Sequence, residues 1–367
     1  MENAFLASGG EFVQKKVGDI FQIETGSLVG TEKLTNGEIR RISAKNENNG
    51  IIGSFNTLNV EEARHFENFI TVNFFGKAFY HPYQASVEMK VHVLKMKNHI
   101  FNKYTGLYLT ALLDKRFSEN YSYGSQLSSS KLKQHDFYIE LPYQNNEIAF
   151  DYMERFVRQL RAERAQELRA FLKLSNLTDV NLSKDEENAL AQLSGSLNWK
   201  MFNLKELFGS ATRGKRLKSD DRISGSLPFV TAGEASTGIS AFIGNSVDVF
   251  KSNTVTIDMF GSAKYRNYEY GADDHIAVVH TDKIAKHAVL FATAAMHKVA
   301  NAGQFSYSRN FYAKDADELN IMLPEKDGEP DWEFMALIGR AIEKCVIADV
   351  VAFNEREMAA YEQVIYS

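Results

Sequence analysis

Asn253-Thr254-Val255-Thr256-Ile257-Asp258-Met259-Phe260-Gly261 answers an earlier stretch of the same chain, Asn68-Phe69-Ile70-Thr71-Val72-Asn73-Phe74-Phe75-Gly76. Each is an apolar, β-branched run closed by a glycine, which reads as a buried strand entering a turn. Aromatic-rich stretches follow, Lys77 to Tyr83 and Ser262 to Tyr268. Upstream, Phe21, Thr25-Gly26, Gly37-Glu38-Ile39 and Ile42-Ser43-Ala44 are matched in order by Phe208, Arg213-Gly214, Gly225-Ser226-Leu227 and Val230-Thr231-Ala232. Gly26 to Gly37 is 11 positions, and Gly214 to Gly225 is again 11. Downstream come paired Tyr-containing turns, Tyr121-Ser122-Tyr123-Gly124 and Phe305-Ser306-Tyr307-Ser308. A strand ending in Leu-Pro follows in each half, at Leu141-Pro142 and Leu323-Pro324, with Met153 and Met335 each 11 positions beyond the proline. An ordered series of this kind marks one structural unit used twice.

Within each unit, alternation and β-branched content predict strands at Ile39–Ile42, Ile70–Phe75 and Phe137–Leu141, and at Leu227–Thr231, Val255–Met259 and Glu318–Leu323. Helices are predicted over Tyr104–Phe117 and Lys286–Asn301, so each unit is a mixed α/β (α+β) domain. From Ile148 to Leu174, Met153, Phe156, Val157, Leu160, Leu168, Phe171 and Leu172 keep helical spacing. Met335, Ile338, Ile342 and Cys345 do so within Trp332 to Ile365. Two apolar stripes need covering, and the simplest arrangement pairs them as long antiparallel, coiled-coil-like helices between two heads, a pseudo-two-fold plan. The expected domains are a first head over 1–146, a helical spacer and connector over 147–198, a second head over 199–330 and a C-terminal helix over 331–367. Ser175 to Ser196 reads as the connector, with a short helix at Asp185–Leu193.

The composition sets limits. A chain of 367 residues is longer than one core usually supports, and 44% hydrophobic with 24% charged residues is ordinary for a globular protein. No apolar run reaches the roughly 18 residues of a membrane span and Met1 to Gly10 lacks a secretory layout, so a cytoplasmic location is expected. Cys345 is the lone cysteine, which excludes an internal disulfide and a multi-cysteine zinc site. The formal net charge of −5 opposes indiscriminate binding to phosphates, so any nucleic-acid contact must come from local basic surface or from a partner.

On these residues the chain resembles the specificity subunits of Type I restriction–modification systems and their Type IIB relatives. The second half carries the resemblance in Arg213-Gly214-Lys215-Arg216-Leu217, Gly225 to Ala232, Thr256 to Arg266 and Asp273-Asp274-His275. In the first half it lies in Ile42-Ser43-Ala44-Lys45, Asn48-Asn49-Gly50-Ile51, Ala78-Phe79-Tyr80-His81-Pro82 and Tyr121 to Leu132. The resemblance implies two target-recognition domains, each reading half of a split site in double-stranded DNA, with helical spacers setting the gap. It also implies docked methyltransferase subunits that bind S-adenosylmethionine, and a nuclease, with its Mg, in other chains or domains. One departure is visible: Thr237-Gly238-Ile239 stands where the first half has Asn49-Gly50-Ile51, so the heads need not read the same bases.

Reading bases requires side-chain donors and acceptors, and holding the duplex requires cations and small polar groups at phosphates. The first head offers Arg40, Arg41, Lys45, Asn46, Asn48, Asn49, Lys77, Tyr80, His81, Tyr83 and Gln84. The second offers Arg213, Lys215, Arg216, Lys218, Lys264, Tyr265, Arg266, Tyr268 and Arg309. Gly76 and Gly261 permit a tight turn or a close backbone approach. Asp273-Asp274-His275 has no further ligand at supporting spacing, so neither a metal site nor a catalytic residue is expected. Gly209 to Arg216 falls short of a phosphate-binding loop because Arg216 stands where a Mg-binding hydroxyl belongs. Asn-Pro-Pro-Tyr, Gly-x-Gly-x-x-Gly, Gly-x-Ser-x-Gly and His-Glu-x-x-His are all missing. The expectation is a DNA-reading subunit without catalysis or cofactor of its own, against two rivals: a solitary DNA-binding regulator of the same fold and a divergent nuclease.

Overall fold

The computed structural model describes residues 1–118, 120–134, 137–193, 195 and 197–365, with side chains described as far as residue 360. Ser196, the expected end of the connector, lies outside them. The chain divides into two compact units, one of residues 1–170 with the segment from Glu355 onward, the other Phe171–Asn354.

In the first unit the order is α1 (Glu2–Ala7), β1 (Glu11–Lys16), α2 (Val17–Ile20), β2 (Phe21–Thr25), β3 (Asn36–Ile42), β4 (Ile51–Phe55), β5 (His65–Phe66), β6 (Phe69–Asn73), β7 (Ala78–His81), β8 (Ala85–Val87), β9 (Val91–Met96), α3 (Lys103–Phe117), α4 (Ser129–Gln134), β10 (Tyr138–Gln144), β11 (Glu147–Ile148) and most of α5 (Phe150–Leu174). Three sheets result, in the orders β2-β9-β6-β7, β4-β3-β8-β5 and β1-β10-β11. β6 is buried along its whole length, which is why it reads as a continuous apolar run rather than an alternating one. Its inner face meets Leu109, Leu113 and Phe117 of α3 in a core shared with Ile70, Val72, Ala78 and Leu94. Each of the larger side chains, Val, Leu, Ile and Phe, contributes about 1.5–3 kcal/mol of transfer free energy. A smaller core of Ile42, Phe66, Phe69, Ala85, Val87, Val91 and Val93 joins the first two sheets. Asn102 starts α3, accepting from the Tyr104 and Thr105 amides in a capping box.

The second unit runs α6 (Lys184–Leu193), β12 (Trp199–Asn203), α7 (Leu204–Phe208), β13 (Thr212–Arg213), β14 (Ser224–Val230), β15 (Ile239–Ile243), β16 (Thr254–Asp258), β17 (Ala263–Arg266), β18 (Gly271–Ala272), β19 (Ile276–Val279), α8 (Lys286–Ala300), α9 (Ala313–Asp317), β20 (Asn320–Lys326), β21 (Glu329–Pro330) and most of α10 (Trp332–Ile365). Its sheets, β13-β19-β16-β17, β15-β14-β18 and β12-β20-β21, keep the first unit's order strand for strand, β5 having no counterpart. Even the one parallel pairing recurs, β3 with β8 and β14 with β18. The internal repeat is therefore structural, and each unit is a mixed α/β head bearing part of a long helix.

Several boundaries differ from expectation for local reasons. β6 and β16 stop at Asn73 and Asp258, because the next residues form the turn whose glycines take φ +87° and +83°. A Cβ on Gly76 would overlap the Phe117 carbonyl, and one on Gly261 the Ala300 carbonyl, so each glycine is both a turn and a close approach to a helix end. The Leu-Pro strands do not end at proline: β10 runs on to Gln144 and β20 to Lys326. Pro142 and Pro324 are paired only by β1 and β12, and their carbonyls accept from Ala149 and Asp331 ahead of α5 and α10. Ile148, expected in the helix, belongs to β11.

Candidate nucleic-acid interface

The loop joining β3 to β4 contains three consecutive left-handed residues, Asn48 (φ 47°), Asn49 (φ 52°) and Gly50 (φ 75°). Asparagine tolerates that conformation best among residues with a Cβ. The loop joining β14 to β15 adopts the same backbone with Ser236 (φ 48°), Thr237 (φ 54°) and Gly238 (φ 84°). A β-branched residue there is strained by about 1–3 kcal/mol, and the surrounding contacts must hold it. Asn48, Asn49, Ser236 and Thr237 are all exposed. Two copies therefore keep one loop shape and present different hydrogen-bonding groups.

A buried polar residue anchors each loop to the turn after the central strand. In the first head the Asn73 amide nitrogen donates to Ala44 O (3.2 Å) and Asn46 Oδ1 (2.9 Å), and its oxygen accepts from the Phe75 and Lys77 amides (2.9 and 3.0 Å). In the second, Asp258 Oδ2 accepts from the Gly233 amide (3.4 Å) and its Oδ1 from the Phe260 and Ser262 amides (3.0 Å each). Asn73 and Asp258 are 2% and 3% exposed. They are absent from the expected site residues, although each stands three positions before the glycine that closes the repeated run, and that shared position was the available signal.

Three expected DNA contacts are corrected by burial. Arg41 and Arg266 are 1% exposed and His81 is 0%. Arg41 donates to Ser27 O (3.3 Å) and Ser86 Oγ (3.4 Å) and lies 3.8 Å from Glu88. Arg266 donates to Thr256 Oγ1 (2.9 Å), Tyr268 Oη (3.0 Å) and Thr237 O (2.8 Å), so it is the post beneath the strained loop. His81 occupies the equivalent place, within 2.9 Å of Thr71 Oγ1 and 3.2 Å of Tyr83 Oη. Burial, with Arg40 assisting, pushes its pKa down to about 4, so the imidazole is neutral. The sequence marks these side chains as polar but not which face of the strand they take.

Other expected residues are engaged within their heads. Tyr80 and Tyr265 donate to Asn68 Oδ1 (2.8 Å) and Asn253 Oδ1 (3.0 Å), which braces β7 and β17. Lys77 is tied to Asp114 on α3 (2.8 Å). Lys264 lies against Glu234 (3.1 Å) and Asp258 (3.5 Å), Arg213 against Asp274 (3.3 Å), Lys215 against Asp248 (2.9 Å) and Arg309 against Asp315 (2.9 Å). The Lys215 pair is exposed on both sides and contributes about 0–1 kcal/mol, so a phosphate can replace the carboxylate. Arg40 is exposed with its guanidinium 4.1 Å above the Tyr83 ring. Lys45, Asn46, Gln84, Arg216 and Lys218 are exposed as well.

Asp273, Asp274 and His275 bring ligand atoms within 4.8 Å of one another. Asp274 is already ion-paired with Arg213 and lies 3.2 Å from His275 Nδ1, and the Asp273 backbone pairs with Val230 as Glu88 pairs with Ile42 in the first head. The run is thus the counterpart of an ordinary turn. Within Gly209 to Arg216 lies β13, with no α-helix following, so the strand–loop–helix frame of a phosphate-binding loop is not formed. Among the described residues no helix is long and apolar enough to cross a membrane.

Comparison with known proteins agrees with this duplicated plan. The family model for the Type I restriction modification DNA specificity domain matches twice, at residues 10–170 and 196–350. The specificity subunit of the Type II restriction enzyme BcgI from Heyndrickxia coagulans is 26% identical over 255 residues, which are 65% of this chain and 69% of that protein. In fold, the chain is similar to the crystal structure of a Type I restriction–modification S subunit from M. genitalium. The TM-score is 0.61 at 14% identity, over 96% of this chain and 94% of that one.

Proposed function

We propose, from the premise that this chain belongs to the family of Type I restriction modification DNA specificity domains and holds two of them, that it reads a two-part duplex DNA sequence for a restriction–modification complex. Each head takes one half-site through the major groove, and α5 and α10 act as antiparallel spacers that set the gap. Methyltransferase subunits carrying S-adenosylmethionine supply the modification, and any cleavage, with its Mg, belongs to a partner. The chain itself contributes recognition and no chemistry.

The observation that carries this reading is the pair of left-handed loops. One backbone shape, held from below by Asn73 in one head and by Asp258 and Arg266 in the other, presents Asn48-Asn49 in the first and Ser236-Thr237 in the second. A reader of two different half-sites needs this division, with shared geometry for docking and variable donors and acceptors for bases. Lys45, Arg40, Gln84, Lys215, Arg216 and Lys218 lie exposed on the same heads and serve the phosphates.

Gel-shift titration of the chain with and without its methyltransferase, on duplexes from a randomised split site, tests the proposal. The assembled complex is expected to select one bipartite sequence. Indifference to every duplex overturns it, metal-dependent cleavage by the purified chain favours the nuclease, and tight selective binding without methyltransferase favours the solitary regulator.

A further inference from the structure

Tyr123 and Tyr307 occupy the same place in the two heads and are 81% and 85% exposed, more than any other aromatic side chain among the described residues. Each stands at the tip of a tight turn closed by a two-way backbone bridge, Ser122 with Ser125 and Ser306 with Arg309. Each ring is also braced edge-on by a phenylalanine from the turn after the central strand: Phe75 at 5.6 Å and Phe260 at 5.1 Å, between ring centroids. Those phenylalanines donate their amides to Asn73 and Asp258, the residues that anchor the left-handed loops. Loop, turn and tyrosine therefore form one continuous rim in each head.

The rim combines a constant part with a variable one. Ser-Tyr is retained at the turn tip, Ser122-Tyr123 and Ser306-Tyr307, while the neighbouring loop changes from Asn48-Asn49 to Ser236-Thr237. Nothing in folding requires a ring this exposed, since its removal uncovers little apolar surface. A group retained in both readers beside loops that differ meets the feature common to both half-sites. In duplex DNA that feature is the sugar–phosphate backbone, and tyrosine hydroxyls are among its usual donors. Resting on the function proposed above, we infer that Tyr123 and Tyr307 are matched, sequence-independent backbone contacts, the ring face against deoxyribose and the hydroxyl donating to phosphate. They position each left-handed loop over the bases.

The test uses the full chain assembled with its methyltransferase, and fluorescence anisotropy on the selected duplex and on scrambled duplexes. Tyr123→Ala and Tyr307→Ala are expected to weaken binding about tenfold each on every duplex, leaving the ratio between selected and scrambled sites unchanged. Tyr→Phe at either position retains the ring and loses part of that factor. Because the rings are exposed, melting temperatures are expected to stay at wild-type values. The inference is overturned by unchanged affinity, by a changed sequence ratio, or by loss of methyltransferase assembly with DNA affinity intact. A wild-type complex with no preference among duplexes overturns the proposed function instead, while uniform tenfold losses on all duplexes still support the tyrosine contacts.

Discussion

His81 illustrates how burial changes a side chain's role. Its ring is fully enclosed, hydrogen-bonded to Thr71 and Tyr83, and its pKa is pushed from the ordinary 6.5 down to about 4. Between those values the unfolded chain binds a proton that the folded chain refuses, so stability rises with pH across the window and falls on acidification. The wild-type protein should lose up to about 3 kcal/mol between pH 6.5 and pH 4 that His81→Gln does not lose. Urea midpoints measured for both proteins across that range check this, and parallel curves contradict it. The exposed cations behave differently. Lys215→Glu with Arg216→Glu should leave stability near wild type and lower the salt slope of DNA binding by roughly 1 to 2 if both meet phosphates. An unchanged slope in salt titrations removes them from the interface.

At the scale of elements, the left-handed loop is the exchangeable part of each head. Since Asn48-Asn49-Gly50 and Ser236-Thr237-Gly238 share backbone angles, their side chains can be traded without rebuilding the loop. Ser236→Asn with Thr237→Asn should stabilise the second head slightly, by about 0.5–1 kcal/mol, because asparagine accepts positive φ more readily than threonine. The same change should alter the bases chosen at one half-site and leave the other untouched. Methylation mapping with the variant complex reads this directly, and an unaltered recognition sequence excludes the loop from base contact. The supports beneath are not exchangeable in the same way: Arg266 bonds the Thr237 carbonyl, whereas His81 at the matching position bonds Thr71 and Tyr83.

For the whole molecule, the division into units is not the division into halves of the chain. The first unit takes in the residues from Glu355 onward, and Glu357 closes on Arg161 of α5 through two bonds of 2.9 and 2.5 Å. Both side chains are three-quarters or more buried, so this bidentate pair is worth more than a typical surface one. Glu357→Ala should destabilise the first unit by about 1–2 kcal/mol and leave the second unchanged. Hydrogen exchange followed by peptide mapping separates the two. Equal loss of protection in both units would contradict the assignment of this segment to the first.

Sequence alone determined the repeat and its element types, because a buried strand followed by a glycine turn and an amphipathic helix leave periodic traces that survive divergence. It also exposed the loop difference, Asn49 against Thr237, and the paired tyrosines at their turns. Tertiary structure alone decided which polar side chains face inward. Arg41, His81 and Arg266 look like surface groups in a linear reading, and Asn73 and Asp258 look like ordinary positions inside strands. Their roles follow from which neighbours the sheets bring within hydrogen-bonding distance, and that is set by packing between segments far apart in the chain. The compass of the first unit was half legible: the two apolar stripes called for each other, but no local pattern marks Glu355 as the point from which the last helix belongs with the first head.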